Sequence, residues 1–281
     1  MAAARFRPDL YQGTADSYDR FRPAYPAALI ADLAARSGAD GTGRLIDLAC
    51  GTGQVCVPLS RHFAQIQAVD QEPEMIALTR RNAARATGQA RWHFAVSAAE
   101  DLTTPAGAAD LLTIGNAFHR LRREAVAAAA FGWLRPGGQL ALLWGGSPYD
   151  SAPAAGSQPG YDQPWQDALR ALTTDWQRRP AAGDRIPAGY PADRLARPDS
   201  VVLGEAGFWR LERREFTADL SWTIETITGF LASTSVLSPA ALRGDGERFR
   251  GELRDRLLDC EPSGRFRQRA SFACELARKP G

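Results

Sequence analysis

The sequence predicts an α/β fold organised around a doubly wound, mostly parallel sheet, and three observations carry that expectation. Between positions 44 and 144, short apolar runs alternate with stretches of helical spacing, which is the signature of βαβ units. The first of these runs enters a small-residue loop and then a helix: Leu45-Ile46-Asp47-Leu48-Ala49-Cys50-Gly51-Thr52-Gly53-Gln54-Val55. The length, 281 residues, suits one domain of roughly 150 to 250 residues with an elaboration.

Taken in order, positions 14–20 and 26–37 read as two helices around Arg22-Pro23-Ala24-Tyr25-Pro26, whose prolines stop one helix before the next begins. They form an N-terminal helical cap, 1–43, over the sheet's edge or its ligand. Strands are expected at 44–48, 66–70, 91–96, 110–115 and 139–144, with helices at 54–62, 73–87 and 122–134 between them. Pro73 suits a first helical turn and Gly88 a helix end. These elements make a nucleoside-binding core, 44–146.

Positions 145–200 are rich in Pro, Gly, Ala and Asp, with one helix at 164–178. The stretch is too long for a mere connection, so 147–207 reads as an insertion or lid. A strand at 208–216, helices at 223–233 and 247–258, and a strand at 266–277 follow. Residues 208–281 thus bring the sheet to seven strands, the last two as antiparallel partners around a helical insert. No internal repeat or heptad pattern occurs.

Composition excludes several classes. With 44% hydrophobic and 23% charged residues the chain is ordinary for a globular protein, not a disordered or fibrous one. The net charge of +2 is small and its signs are interspersed, so nothing points to nucleic acid. All but one of the 34 basic residues are arginine, Lys279 being the sole lysine; with the abundant alanine, this suggests a GC-rich bacterial genome. Arg5 and Arg7 precede no apolar run, and no stretch of about 18 apolar residues occurs, so neither a signal peptide nor a membrane span is expected. The cysteines at 50, 56, 260 and 274 form no CxxC pair and the histidines at 62, 93 and 119 are far apart, so no metal site or disulfide framework is favoured. Reduced thiols fit a cytoplasmic protein, monomer or homodimer.

The chemistry concentrates at the strand ends. Small residues after Leu48 let the backbone approach a ligand, and the helix N-terminus offers unpaired N–H groups. The G-x-G-x-x-G of a dinucleotide fold is incomplete, because Gly51 and Gly53 are followed by Cys56. The acid at Asp47 repels a pyrophosphate and suits the ammonium of a methionine moiety, which favours S-adenosylmethionine (SAM) over a nicotinamide dinucleotide. A second strand ends in Asp70-Gln71-Glu72-Pro73-Glu74-Met75, 17 positions beyond Gly53, where a carboxylate can accept both ribose hydroxyls. Gln71 and Met75 flank the adenine, or Met75 is simply core. The third strand runs into Ser97-Ala98-Ala99-Glu100-Asp101, where a backbone N–H and a carboxylate meet the adenine edge.

These segments, with Ala109-Asp110-Leu111-Leu112-Thr113-Ile114-Gly115-Asn116-Ala117-Phe118-His119 and Leu134-Arg135-Pro136-Gly137-Gly138, resemble class I SAM-dependent methyltransferases, which have a Rossmann-like fold. Tyr18-Asp19-Arg20-Phe21-Arg22-Pro23-Ala24-Tyr25-Pro26 and Ala117-Phe118-His119 are similar to the small-molecule group that includes trans-aconitate and ubiquinone-pathway methyltransferases. The resemblance spans roughly 18–144 and weakens in 208–230. It implies that Asp47, Ala49, Gly51 and Gly53 contact the methionine part, Asp70 the ribose, Gln71 and Met75 the adenine surroundings, Ala99 and Glu100 the adenine edge, and that Asn116 sits beside the sulfonium. The family usually has glycine where Ala49 stands and often aspartate where Ala98 stands, which throws an adenine hydrogen bond onto Glu100.

Tyr18 and Arg22 close over the SAM carboxylate, or Arg22 pairs with a surface acid. His119 is the candidate base or acceptor contact, since histidine titrates near neutrality; a structural histidine is the alternative. Asp150 and Asp162 are further candidate bases. Among the aromatics Trp144, Tyr149, Tyr161, Trp165 and Trp222, some line an acceptor pocket, with Trp144, Tyr149 and Trp222 preferred. The expected reaction is methylation of N or O of a small molecule, in bacterial natural-product (antibiotic) biosynthesis. The alternatives are an RNA-modifying methyltransferase, a non-catalytic SAM-binding subunit, and, less well matched, a nicotinamide oxidoreductase.

Overall fold

In the computed structural model, which describes residues 6–149, 164–179, 185–186 and 192–281, seven strands form one sheet in the order β3-β2-β1-β4-β5-β7-β6. Its parallel part comprises β1 (Arg44–Leu48), β2 (Gln65–Asp70), β3 (Arg91–Val96), β4 (Ala109–Gly115) and β5 (Leu134–Gly145). β7 (Arg265–Arg278) runs antiparallel to β5, and β6 (Trp209–Thr223) closes the sheet antiparallel to β7. The order reverses at β1 and β4, so the crevice at their carboxyl ends is where an open α/β sheet binds its ligand.

Alternation along the central strands feeds two cores. Leu45, Leu111 and Leu143 face α2 (Ala27–Arg36) and α3 (Cys56–Leu59), while Ile46, Leu112 and Leu142 face α5 (Arg123–Trp133) and a later helix carrying Val202 and Leu203. Burial on both faces explains why these strands are mostly apolar. α1 (Ala15–Phe21) and α4 (Pro73–Ala83, with Pro73 in its first turn) complete the N-terminal side.

The described part of the insertion is α6 (Pro164–Gln177), α7 (Ala192–Ala196) and α8 (Asp199–Glu205). α6 does not stand alone. Trp165, Leu169, Leu172 and Trp176 share a third core with Phe230 of α9 (Ile224–Ala232), with Phe249, Leu253 and Leu257 of α11 (Gly246–Cys260), and with Trp222 and Phe266 of the outer strands; the short α10 (Pro239–Leu242) lies between α9 and α11. The insertion helix and the C-terminal helices are therefore one layer.

Several elements differ from the sequence expectation: β5 begins at Leu134 and not at 139, α4 ends at Ala83, and α7 and α8 add to the one helix expected in the insertion. β6 continues to Thr223 instead of stopping near 216, because 217–223 pair with 265–271 of β7 while exposing most alternate residues, which leaves little apolar signal. The helix expected at 54–62 shrinks to α3 and a 3-10 turn, Ser60–His62. Among the described residues no helix is long and apolar enough to cross a membrane.

Candidate active site

A cavity of about 360 Å³ opens at the carboxyl ends of β1, β2, β3 and β4, within the range of small-molecule sites. Asp70, at the tip of β2, is 8% exposed, and its two oxygens accept the backbone N–H groups of Gly51 (2.9 Å) and Glu72 (3.0 Å). A carboxylate has about four lone-pair sites, so both oxygens keep acceptor capacity on a cavity wall. Burial raises its pKa above the ordinary carboxylate value, which strengthens its demand for donors. A ribose diol meets that demand.

Side chains from neighbouring elements hold the loop after β1. Asp47, 1% exposed, accepts from the Thr113 hydroxyl (2.6 Å) through Oδ1 and from the Cys56 N–H (3.2 Å) through Oδ2, so it ties β1 to β4 and to the start of α3. Desolvation pushes its carboxyl up to about 6. The Thr79 hydroxyl donates to the Gly51 carbonyl (2.7 Å). Gly53, at φ 87°, does not line the cavity; a Cβ there would lie 2.7 Å from Val57, so this glycine serves the packing of α3.

Ala49 and Asn116, at the ends of the neighbouring strands β1 and β4, both line the cavity in the left-handed region, at φ 49° and 51°. This conformation explains why glycine would be easier than alanine at 49. The Asn116 side chain is fixed by a reciprocal pair with the Gly145 backbone, donating to its carbonyl (3.1 Å) and accepting from its N–H (3.2 Å). Beyond Ala49 lies a side pocket of about 10 Å³ that Asp47, Tyr18, Gln54 and Gly115 also line.

Gln71, Met75, Ala99 and Glu100 line the same cavity. Met75, 2% exposed, packs with Ala15 and Leu78 and also lines the cavity. Glu100 accepts the Arg122 N–H (2.8 Å). Tyr18 lines both spaces, and burial pushes its phenol above its ordinary value.

Other expected residues lie elsewhere. Arg22 does not line the cavity; its guanidinium lies 4.7 Å from the Tyr18 ring and 4.4 Å from that of Phe230, and its Nε donates to the Ser233 hydroxyl (2.8 Å). It pairs with no surface acid among the described residues, and reaches the site only by backing Tyr18. His119 also misses the cavity: it turns into the protein beside Arg120, Arg123 and Arg194, where burial first, and those charges next, push its imidazole down to about 3. It is neutral at pH 7 and a poor base there.

The three preferred aromatics are packing residues. Trp222, 3% exposed, donates from Nε1 to Gln268 (2.8 Å) and meets Phe230 edge-on; Tyr149 packs on Phe230 as well; Trp144 points to the α5 side of the sheet beneath Arg194. Trp165 is buried against Phe266. Tyr161, Asp150 and Asp162 fall outside the described residues.

The sequence reading missed the roof. Phe6, Pro8, Leu10 and Tyr11 cover the cavity, held where the Pro8 carbonyl accepts from Gln71 (3.0 Å) and the Leu10 carbonyl from Arg185 (2.9 Å). Arg120, next to the favoured His119, lines it too. No periodicity marks 6–11, and an arginine after a strand is unremarkable until its surroundings are known.

Against known proteins, residues 45–138 match the model of a methyltransferase domain, covering the strands and loops that build this cavity. These residues are a class I SAM-dependent methyltransferase domain. The domain's relatives include an uncharacterized methyltransferase of Mycobacterium tuberculosis, 28% identical over 145 residues, 51% of this chain and 56% of that one. A trans-aconitate 2-methyltransferase of a Mycobacterium species is 37% identical over 83 residues, 29% of this chain and 30% of its own. The chain thus aligns with about half or less of the length of these curated relatives. In fold, the chain is similar over 92% of its length to 98% of a type II methyltransferase candidate from Anaeromyxobacter dehalogenans, with a TM-score of 0.59 at 20% identity. The cofactor of the domain is SAM, and the residues present fit it: an acid with spare acceptors for a ribose, a small-residue loop, and an apolar and amide wall for an adenine.

Proposed function

We propose that this methyltransferase transfers a methyl group from SAM to a nitrogen or oxygen of a small molecule, in bacterial natural-product metabolism. The observation that carries the reading is the Asp70 carboxylate, buried at the tip of β2 with acceptor capacity on a cavity of about 360 Å³. Asp70 would hold the ribose, the Gln71, Met75 and Ala99–Asp101 wall the adenine, and the part of the cavity beside Tyr18, Ala49 and Gly51 the methionine end.

When bound, SAM supplies a methyl carbon activated by positive sulfur. The chain's task is then alignment and exclusion of water. Tyr18, Ala49 and Gly115 border both the side pocket and the main cavity, Asn116, pinned to Gly145, lines the main cavity, and the 6–11 segment covers part of it. A small, roofed cavity supports a small-molecule acceptor over RNA, which would need an open basic face.

Incubation with radiolabelled SAM and a panel of small acceptors, beside bulk tRNA and rRNA, tests this. Label in a small product is expected. Label in RNA alone would overturn the acceptor class, and SAM binding without any transfer to metabolite extracts would favour a non-catalytic subunit.

A further inference from the structure

β3 is one of the two edges of the sheet, and among the described residues no strand pairs with its outer side. The N–H groups of Arg91 and Ser97 donate to the carbonyls of Ala64 and Asp70, so the odd positions spend their backbone groups on the β2 side. The N–H and C=O groups of Trp92, Phe94 and Val96 therefore point out along the open edge.

The side chains of these three residues share one face of the strand. The Trp92 and Phe94 rings stack at 5.5 Å with an interplanar angle of 4°, and Val96 is 55% exposed. Arg91 is the only Asp, Glu, Lys or Arg of the strand. The opposite edge is built differently: β6 carries Arg210, Glu212, Arg213, Arg214, Glu215 and Asp219, and charges of this kind keep an edge from pairing. β3 lacks that protection. Its ends are also opposite in charge. Arg85 and Arg91 are exposed at its start and Asp101 just past its end, and none of the three forms an ion pair among the described residues. A strand laid antiparallel on β3 meets opposite charge at both ends if it carries the same charges, and a second β3 is such a strand.

We infer that β3 is the interface of a homodimer, in which a second copy adds its own β3 antiparallel across a two-fold axis at Phe94 and makes the two sheets continuous. In this register the outward backbone groups of Phe94 pair with their counterparts, and those of Trp92 pair with those of Val96. The exposed Val96 side chain packs against the copy's Trp92, and Arg91 comes level with the copy's Ser97, at the rim of the cavity that Ser97 and Asp101 line. The patch matches itself, as a closed two-fold contact requires. One strand pair buries little area, so the dimer exchanges reversibly with the monomer.

The test is sedimentation velocity of the full chain over micromolar concentrations. A species at twice the 30.4 kDa chain mass is expected, its share rising with concentration. Val96→Lys sets a charge against the copy's Trp92 and should weaken association by about tenfold or more, with an unchanged far-ultraviolet circular dichroism spectrum. Arg91→Glu should weaken it as well, most at low salt. A second measurement stands if Val96→Lys does not fold. His93, exposed on the other face, lies diagonally about 7–8 Å from its own counterpart in this register. In a Cys260→Ser background, which removes the exposed thiol, His93→Cys should therefore be cross-linked by a short bismaleimide, and Thr217→Cys on β6 should not. A chain that stays monomeric, a dimer untouched by Val96→Lys, or cross-linking at 217 in place of 93 would overturn the proposal.

Discussion

The Asp70 carboxylate accepts the backbone N–H of Gly51 at 2.9 Å, joining the tip of the second strand to the loop that follows the first. One acid therefore shapes the loop and keeps acceptor capacity on the cavity wall. Asp70→Asn keeps an acceptor for one N–H and loses the charge, so S-adenosylhomocysteine affinity should fall about ten- to a hundredfold, as expected for a lost charge-assisted pair of roughly 1.5–3 kcal/mol. Calorimetric titration reads this.

Ala49 holds φ 49° at the end of β1, a conformation that costs a residue with a Cβ about 1–2 kcal/mol. Ala49→Gly relieves that strain and adds backbone entropy to the unfolded chain. A net gain of about 1 kcal/mol, or a melting temperature higher by roughly 2–4 °C, is expected in thermal denaturation. An unchanged or lower melting temperature would place the strain elsewhere.

Asp47, with its carboxyl pushed up to about 6, titrates in an accessible range. A cationic methionine end favours the ionised form, so S-adenosylhomocysteine affinity should rise as pH increases through about 6, with proton release visible in buffers of different ionisation enthalpy. In the free protein stability moves the other way: the folded state keeps a proton that the unfolded chain releases, so stability falls as pH rises from 3.8 to about 6. Asp47→Asn should flatten both profiles.

The four thiols divide by burial. Cys260 is exposed, whereas Cys50, Cys56 and Cys274 are buried with thiols raised by desolvation, Cys274 to about 12. A chromogenic disulfide reagent should titrate one thiol quickly in the native protein and four after denaturation. Rapid reaction of a second thiol would contradict the packing of α3 or β7.

The parallel core was legible because strands buried on both faces are mostly apolar and end in loops of small or acidic residues. Asp70, Gln71 and Glu100 were singled out on that basis, Asn116 through the family resemblance, and all four line the cavity. The outer part of β6 was hidden, since a half-exposed edge strand has a weak apolar pattern. His119 and the aromatics were chosen by residue type, and type does not reveal which way a side chain turns. His119 turns inward to three arginines, while Arg120, one position on, faces the cavity. The roof at 6–11 is held by long-range hydrogen bonds to Gln71 and Arg185 that no local pattern encodes.

The central claim, that the crevice at the ends of β1, β2 and β4 holds SAM, is tested most directly by a crystal structure with S-adenosylhomocysteine. The ribose hydroxyls should lie within hydrogen-bonding distance of both Asp70 oxygens, with the adenine against Met75 and Ala99. A ligand elsewhere, or a ribose that does not touch Asp70, would contradict the account.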